Sequence, residues 1–215
     1  MPEAKLTPFK IAITGHRDLR PQDLPALRRE VGSVFDSLRV QMPGHPLMLL
    51  SALAEGADQL VAEIALDHGV QLAAILPMPL DIYRDTMPPE QQQKLDRLYA
   101  LADVQITLPL EDRTLDHLRS SEESRAASYE SLAHYLVGNS QALIALWDGR
   151  PSDKPGGTCR VVNYARSGKT PGSMQPVVSH CEVVYHVMTP RVSNGNATDE
   201  VQTTKLNCNP TKTPD

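Results

Sequence analysis

The amino-acid sequence predicts an α/β fold, an open and mostly parallel sheet with helices on both faces. Short apolar runs of strand length alternate with helix-period segments five or six times. The clearest runs are apolar at successive positions, as strands covered on both sides are. No repeat of roughly 20–50 residues occurs, which excludes a solenoid.

Residues 10–14, Lys-Ile-Ala-Ile-Thr, form the first apolar run and stop at Gly15. Residues 21–39 follow with Leu24, Leu27, Val31, Val34, Phe35 and Leu38 on one helical face. The run at 47–53 ends at Glu55-Gly56-Ala57-Asp58, and residues 58–68 carry Leu60, Val61, Ile64 and Ala65 in helical register. Gly69 stands where a helix C-terminal cap belongs. Residues 71–76 read as a third strand, stopped by Pro77 and Pro79. Pro88-Pro89 precedes a helix over 90–101, 104–108 is a fourth strand, and the polar segment 111–121 is expected to be a loop. A helix over 124–139 leads into the strand 141–147, which ends at Asp148-Gly149. Residues 150–157 are a Pro- and Gly-rich loop, and 158–167 a short helix with Val161, Val162 and Ala165 inward. The last strand is expected at 176–179 or a little beyond. The pattern is that of a Rossmann-like domain over residues 1–192. Residues 193–215 are polar and are expected to form a disordered tail, because they bury too little to offset ordering entropy.

Composition narrows the function. The chain has 215 residues, 40% of them apolar, enough for one substantial core. Only 4% are aromatic and the net charge is −5. Strand-binding proteins draw on stacked aromatics and clustered Lys and Arg, so nucleic acid is not expected as a partner. The three cysteines, Cys159, Cys181 and Cys208, are widely spaced and form no CxxC pair, so no metal site is expected and the thiols read as reduced. Residues 1–10 lack the apolar core of a signal peptide, and the apolar runs near 46–54 and 71–80 fall short of the roughly 20 residues that span a bilayer. No membrane association is expected, and the cytoplasm is the expected location. The glycosylation acceptor Asn196-Ala197-Thr198 carries no meaning without a secretory signal.

Ligands of open parallel sheets gather outside the carboxyl ends of the strands, where this chain has three loops of small and polar residues. Thr14-Gly15-His16-Arg17-Asp18 offers a tight turn, an imidazole and a guanidinium fork suited to phosphate. The alternative is that Gly15 only turns the chain and Arg17 pairs with Asp18 or another acid. Ala54-Glu55-Gly56-Ala57-Asp58 keeps the strand-to-helix turn slim; Glu55 could bind ribose hydroxyls and Asp58 could hold the loop through its amides. The alternative is a plain cap beside a solvated Glu55. Asp148-Gly149, followed by Pro155-Gly156-Gly157-Thr158, sets a glycine pair at the start of a helix, where amides and the helix dipole favour an anion. Tyr83, Tyr129 and Tyr135 could stack on a base, although helix-borne tyrosines more often pack half-buried.

Other motifs are discounted. Gly168-Lys169-Thr170 resembles the end of a phosphate-binding loop, but it follows a helix, and Asn163 stands where the first glycine is required. No GxGxxG is present, the seven histidines show no zinc spacing, and Ser51, Ser140 and Ser179 lack a GxSxG setting.

Ile11-Ala12-Ile13-Thr14-Gly15-His16-Arg17, Leu53-Ala54-Glu55-Gly56-Ala57-Asp58, Ile75-Leu76-Pro77 with Tyr83, and residues 143–149 with Gly156-Gly157-Thr158 together resemble the SLOG superfamily. These are Rossmann-like nucleotide-binding domains related to the Lonely Guy phosphoribohydrolases and to the DNA-processing protein of natural transformation. The resemblance covers residues 8–180, and order and spacing carry it. It implies a ligand site built from Gly15, His16, Arg17, Glu55, Gly56, Asp58, Gly156, Gly157 and Thr158, and sensing of a nucleotide-derived ligand in bacterial defence or signalling. Apolar helix faces on both sides of the sheet could support a second copy of the chain, a separate effector protein could be a partner, and no cofactor is implied. The phosphoribohydrolases carry PGGxGT and then a glutamate that works at the ribose. Here Pro155-Gly156-Gly157-Thr158 lacks the extra residues, and no acid follows from Cys159 to Gln175. The expected function is therefore binding or sensing of a nucleotide or nucleotide-derived small molecule. The alternative is an N-glycosidic hydrolase acting on a nucleoside monophosphate, with Glu55 or Asp148 as the catalytic carboxylate. Release of free base, abolished by Glu55→Ala, would mark it.

Overall fold

Apolar residues at successive positions place β1 (Phe9–Gly15) in the middle of the sheet, wholly buried at Ile11, Ala12 and Ile13. The computed structural model describes residues 6–110, 114–152, 154–167, 179–194 and 200–208. Along the chain, β1 is followed by α1 (Leu24–Gln41), β2 (Leu47–Ser51), α2 (Ala57–Asp67), β3 (Gln71–Leu76), α3 (Leu80–Arg84) and α4 (Pro89–Leu101). Next come β4 (Val104–Thr107), α5 (Leu115–Ser120), α6 (Glu122–Gly138), β5 (Ala142–Trp147), α7 (Thr158–Ser167), β6 (Val183–Met188) and β7 (Thr203–Asn207).

The strands form one sheet in the order β4-β3-β2-β1-β5-β6-β7, parallel except for β7. Successive side chains of a strand point to opposite faces, and the two cores follow that alternation. Ile11, Ile13, Leu49, Leu72 and Ile144 face one core with α1, α2 and α4. Ala12, Leu50, Ala73, Ile75 and Leu143 face the other with α6 and α7. The predicted α/β class, open and mostly parallel with helices on both faces, is the class observed. Gly69 ends α2 with φ +64, its N–H donating to Leu66 O at 3.0 Å and that of Val70 to Ala65 O at 2.8 Å, a paired C-terminal cap. No helix among the described residues is long and apolar enough to cross a membrane.

Four expectations are corrected. Within the expected loop 111–121, residues 115–120 form α5. Thr114 caps it by accepting the His117 N–H at 3.3 Å, and Leu118 is wholly buried beneath it. The short helix α3 begins directly after Pro79, which was read only as a stop to the third strand. The last strand, expected at 176–179 or a little beyond, is Val183–Met188 beside β5; Ser179 precedes it, and 176–178 lie outside the described residues. The expected tail contains β7, which pairs antiparallel with β6. The free edge of β6 supplies backbone partners that composition does not register, while Leu206 and Cys208 pack on the second core. Gly168-Lys169-Thr170, the Asn196 acceptor and the rest of the tail beyond 208 lie outside the described residues.

Candidate functional site

The order of the sheet reverses at β1, with β2, β3 and β4 on one side and β5 and β6 on the other. A crevice opens at the carboxyl ends of strands at such a switch point. Here it is a cavity of about 490 Å³ bordered by the loops after β1, β2, β5 and β6 and by α3, α6 and the start of α7.

Glycine lets the first two loops lock together. A Cβ on Gly15 would lie 2.3 Å from the Cβ of Ala57, and one on Gly56, whose φ is +81, would lie 2.4 Å from Arg17 O. Across this contact the Ala57 N–H donates to His16 O at 3.0 Å, and the His16 N–H donates to Leu146 O at 3.0 Å. Leu53 turns the end of β2 with φ +57, rare for a residue with a branched side chain. Ser51 Oγ holds this turn by accepting the Leu53 N–H at 3.0 Å, and Gln59 Nε2 donates to Leu53 O at 3.1 Å. Strain of this kind costs on the order of 1–2 kcal/mol and aims the loop that follows.

That loop presents Asp58, only 7% exposed, to the cavity. Burial pushes its carboxyl up to about 7, against the amides of Ala54 and Ala52 and the nearby Arg17, which favour its charge. Asp58 therefore holds the loop through backbone amides. Arg17 Nη1 lies 3.7 Å from Glu55 Oε1 and close to the hydroxyl of Tyr129. The acid beside Arg17 is Glu55 and not Asp18, which instead accepts from Arg191 Nε at 2.8 Å and Ser193 Oγ at 2.6 Å. Arg17 is half-exposed, so its pair with Glu55 contributes at most about 1 kcal/mol.

His16 Nε2 accepts the backbone N–H of Asp148 at 3.1 Å and lies 3.1 Å from the Asp148 carboxylate. One nitrogen cannot accept and donate at once. Burial lowers the His16 pKa, against the pull of Asp148 that raises it. The neutral ring, accepting from the amide, is therefore the form at neutral pH, and a protonated ring would turn its bond to the carboxylate.

The glycine pair before α7 differs from expectation. Gly156 has φ +63, and a Cβ there would lie 2.5 Å from the Cβ of Tyr129. Its N–H donates to Glu130 Oε2 at 2.8 Å, and that of Gly157 donates to Lys154 O at 3.0 Å. These two amides close the loop on itself and do not form the expected anion nest. Glu130 also accepts the Tyr164 hydroxyl and pairs with Arg160 at 3.3 Å. Burial works to raise the Glu130 pKa, but His134, the Gly156 amide and Arg160 outweigh it and hold the carboxyl below its usual range. What remains for an anion is the start of α7, where Thr158 and Cys159 border the cavity and the first-turn amides carry the positive end of the helix.

The structure thus brings Gly15, His16, Arg17, Asp58, Asp148, Gly156, Gly157 and Thr158 to one cavity. Glu55, Gly56 and Gly149 do not line it: Glu55 stands behind Arg17, and the two glycines shape backbone with φ +81 and +77. Tyr83 and Tyr129 line it, whereas Tyr135 packs against the second core. The sequence reading missed Glu130, Arg150, Lys154 and Arg191. Arg191 follows β6, a strand expected a few residues earlier, and Glu130 reaches the loop only because α6 packs beside α7. Among the described residues, Arg17, Arg150, Lys154 and Arg191 line the cavity with the acids Asp58 and Asp148, and Arg17, Arg150 and Arg191 each lie within 4.0 Å of a carboxylate, that of Glu55, Asp148 and Asp18 respectively.

No protein-family model matches the chain, and no curated protein does. Among solved structures it is similar to DNA processing protein A from Streptococcus pneumoniae, at 17% identity and a TM-score of 0.48, over 81% of this chain and 54% of that one. It is also similar to DNA processing protein A from Helicobacter pylori, at 18% identity and a TM-score of 0.43, over 67% of this chain and 57% of that one. The chain spans just over half the length of these structures. The Helicobacter pylori structure is described by its single-stranded DNA binding mode. That finding overturns the exclusion of nucleic acid as a partner. The exclusion rested on aromatic share and net charge, sums over the whole chain that do not register where individual basic and aromatic side chains stand.

Proposed function

We propose that the cavity binds a nucleotide or nucleotide-derived small molecule, and that the chain is a binding or sensing domain of the SLOG type. The observation that carries this reading is that Arg17 and the start of α7 border the same cavity. A guanidinium fork and a helix N-terminus each favour phosphate, and together they supply complementary donors. The volume of about 490 Å³ lies within the range of small-molecule sites. Binding without turnover fits the lack of an acid from Cys159 to Gln175, and a second copy or a separate effector would receive the signal.

Calorimetry on the full chain with AMP, ADP-ribose, a cyclic dinucleotide and a short oligothymidylate tests this. The expected result is saturable binding of at least one small nucleotide, weakened roughly tenfold or more by Arg17→Ala with little change in thermal stability. Absence of binding by every small nucleotide would refute the proposal. Tighter binding of the oligonucleotide than of any mononucleotide would replace the enclosed site with a strand-binding surface.

A further inference from the structure

One residue that lines the cavity carries a polar group with no hydrogen-bond partner among the described residues. Tyr83, on α3, is wholly buried and lines the cavity, yet among the described residues its hydroxyl makes no hydrogen bond. A buried hydroxyl without a partner costs stability, and phenylalanine would fill the same space without that cost. The Asp58 carboxyl lines the same cavity, close enough that, after burial, its charge helps push the Tyr83 hydroxyl up. A carboxylate has about four acceptor sites, of which the amides of Ala52 and Ala54 use part. Arg17, Tyr129 and Glu55 are the other ionisable groups around Tyr83.

We infer that Tyr83 and Asp58 form a distinct subsite that seats a hydroxyl group of the ligand, so that the ligand is a phosphate ester of a sugar with free hydroxyls. The inference rests on the anion-binding reading of the same cavity. A hydroxyl donates to the carboxylate and accepts from the phenol at once. A lone carbonyl cannot donate, an ammonium cannot accept, and a phosphate oxygen is repelled by Asp58 above about pH 7, where its carboxyl is ionised. Phosphate therefore belongs at Arg17 and the start of α7, and the sugar hydroxyls at the Tyr83 wall.

The test compares the full-length wild-type chain with Tyr83→Phe, using AMP, 2′,3′-dideoxy-AMP and inorganic phosphate in calorimetry, with thermal melts of the free proteins. The wild type is expected to prefer AMP over its dideoxy analogue by roughly tenfold or more, and Tyr83→Phe to reduce that preference to within about twofold. Binding of the dideoxy analogue and of phosphate should be equal in the two proteins. The free variant should melt about 2–4 °C higher, because an unpaired buried hydroxyl has been removed. An unchanged AMP preference in the variant, or no preference in the wild type, overturns the subsite while leaving the anion site standing. A lower melting temperature also overturns it, since the hydroxyl would then be paired within the fold. Failure of all three probes to bind wild type refutes the anion reading and the subsite together.

Discussion

Replacing Asp58 with asparagine should flatten the dependence of stability on pH between about pH 5 and pH 7. The Asp58 carboxyl is 7% exposed, and burial raises its pKa from 3.8 to about 7. A gap of about three units corresponds to about 4 kcal/mol. The unfolded chain releases this proton first, so the stability is fully present below 3.8 and is lost as pH rises through about 7. In between, the slope is about −1.4 kcal/mol per pH unit, or about 2–3 kcal/mol over the window. The lowered His16 pKa acts in the opposite direction, its contribution being lost as pH falls below 6.5. It is common to both proteins and cancels in their difference. Asp18, Glu63 and Glu130, all lowered, titrate below the window. Asparagine keeps the size but one oxygen fewer, a constant offset of about 1–3 kcal/mol from the amides of Ala52 and Ala54. Urea unfolding followed by circular dichroism at four pH values gives both curves. Parallel curves for wild type and Asp58→Asn would refute the reasoning, because no buried acid would then be titrating.

Gly156→Ala should destabilise the protein by about 1–3 kcal/mol and weaken nucleotide binding, since the new methyl meets Tyr129 at 2.5 Å with φ at +63; denaturant midpoints and calorimetry check both effects. Glu130→Ala should cost about 3–5 kcal/mol by leaving the Gly156 amide, the Tyr164 hydroxyl and Arg160 without their shared acceptor. A loss below about 1 kcal/mol in urea unfolding would show that the carboxylate does not hold the loop.

Local sequence was enough for the alternation of strands and helices, the apolar faces of α1 and α2, the cap at Gly69 and the loops that end β1, β2 and β5. Each depends on side-chain period, glycine conformation or proline geometry, properties of a few neighbouring residues. The edge strand β7 escaped it, because pairing with a neighbour compensates for weak apolar patterning, whereas β6, interrupted only by His186, lies a few residues beyond the expected 176–179. Tertiary structure alone decided which amides of the glycine pair stay available, since Glu130 lies 26 residues away along the chain and reaches Gly156 only through helix packing. It also decided that the Tyr83 hydroxyl has no hydrogen-bond partner among the described residues and that Asp58 is buried enough to titrate near neutrality. Burial and hydrogen-bond satisfaction are sums over everything within a few ångströms, and residues distant in sequence supply most of those neighbours.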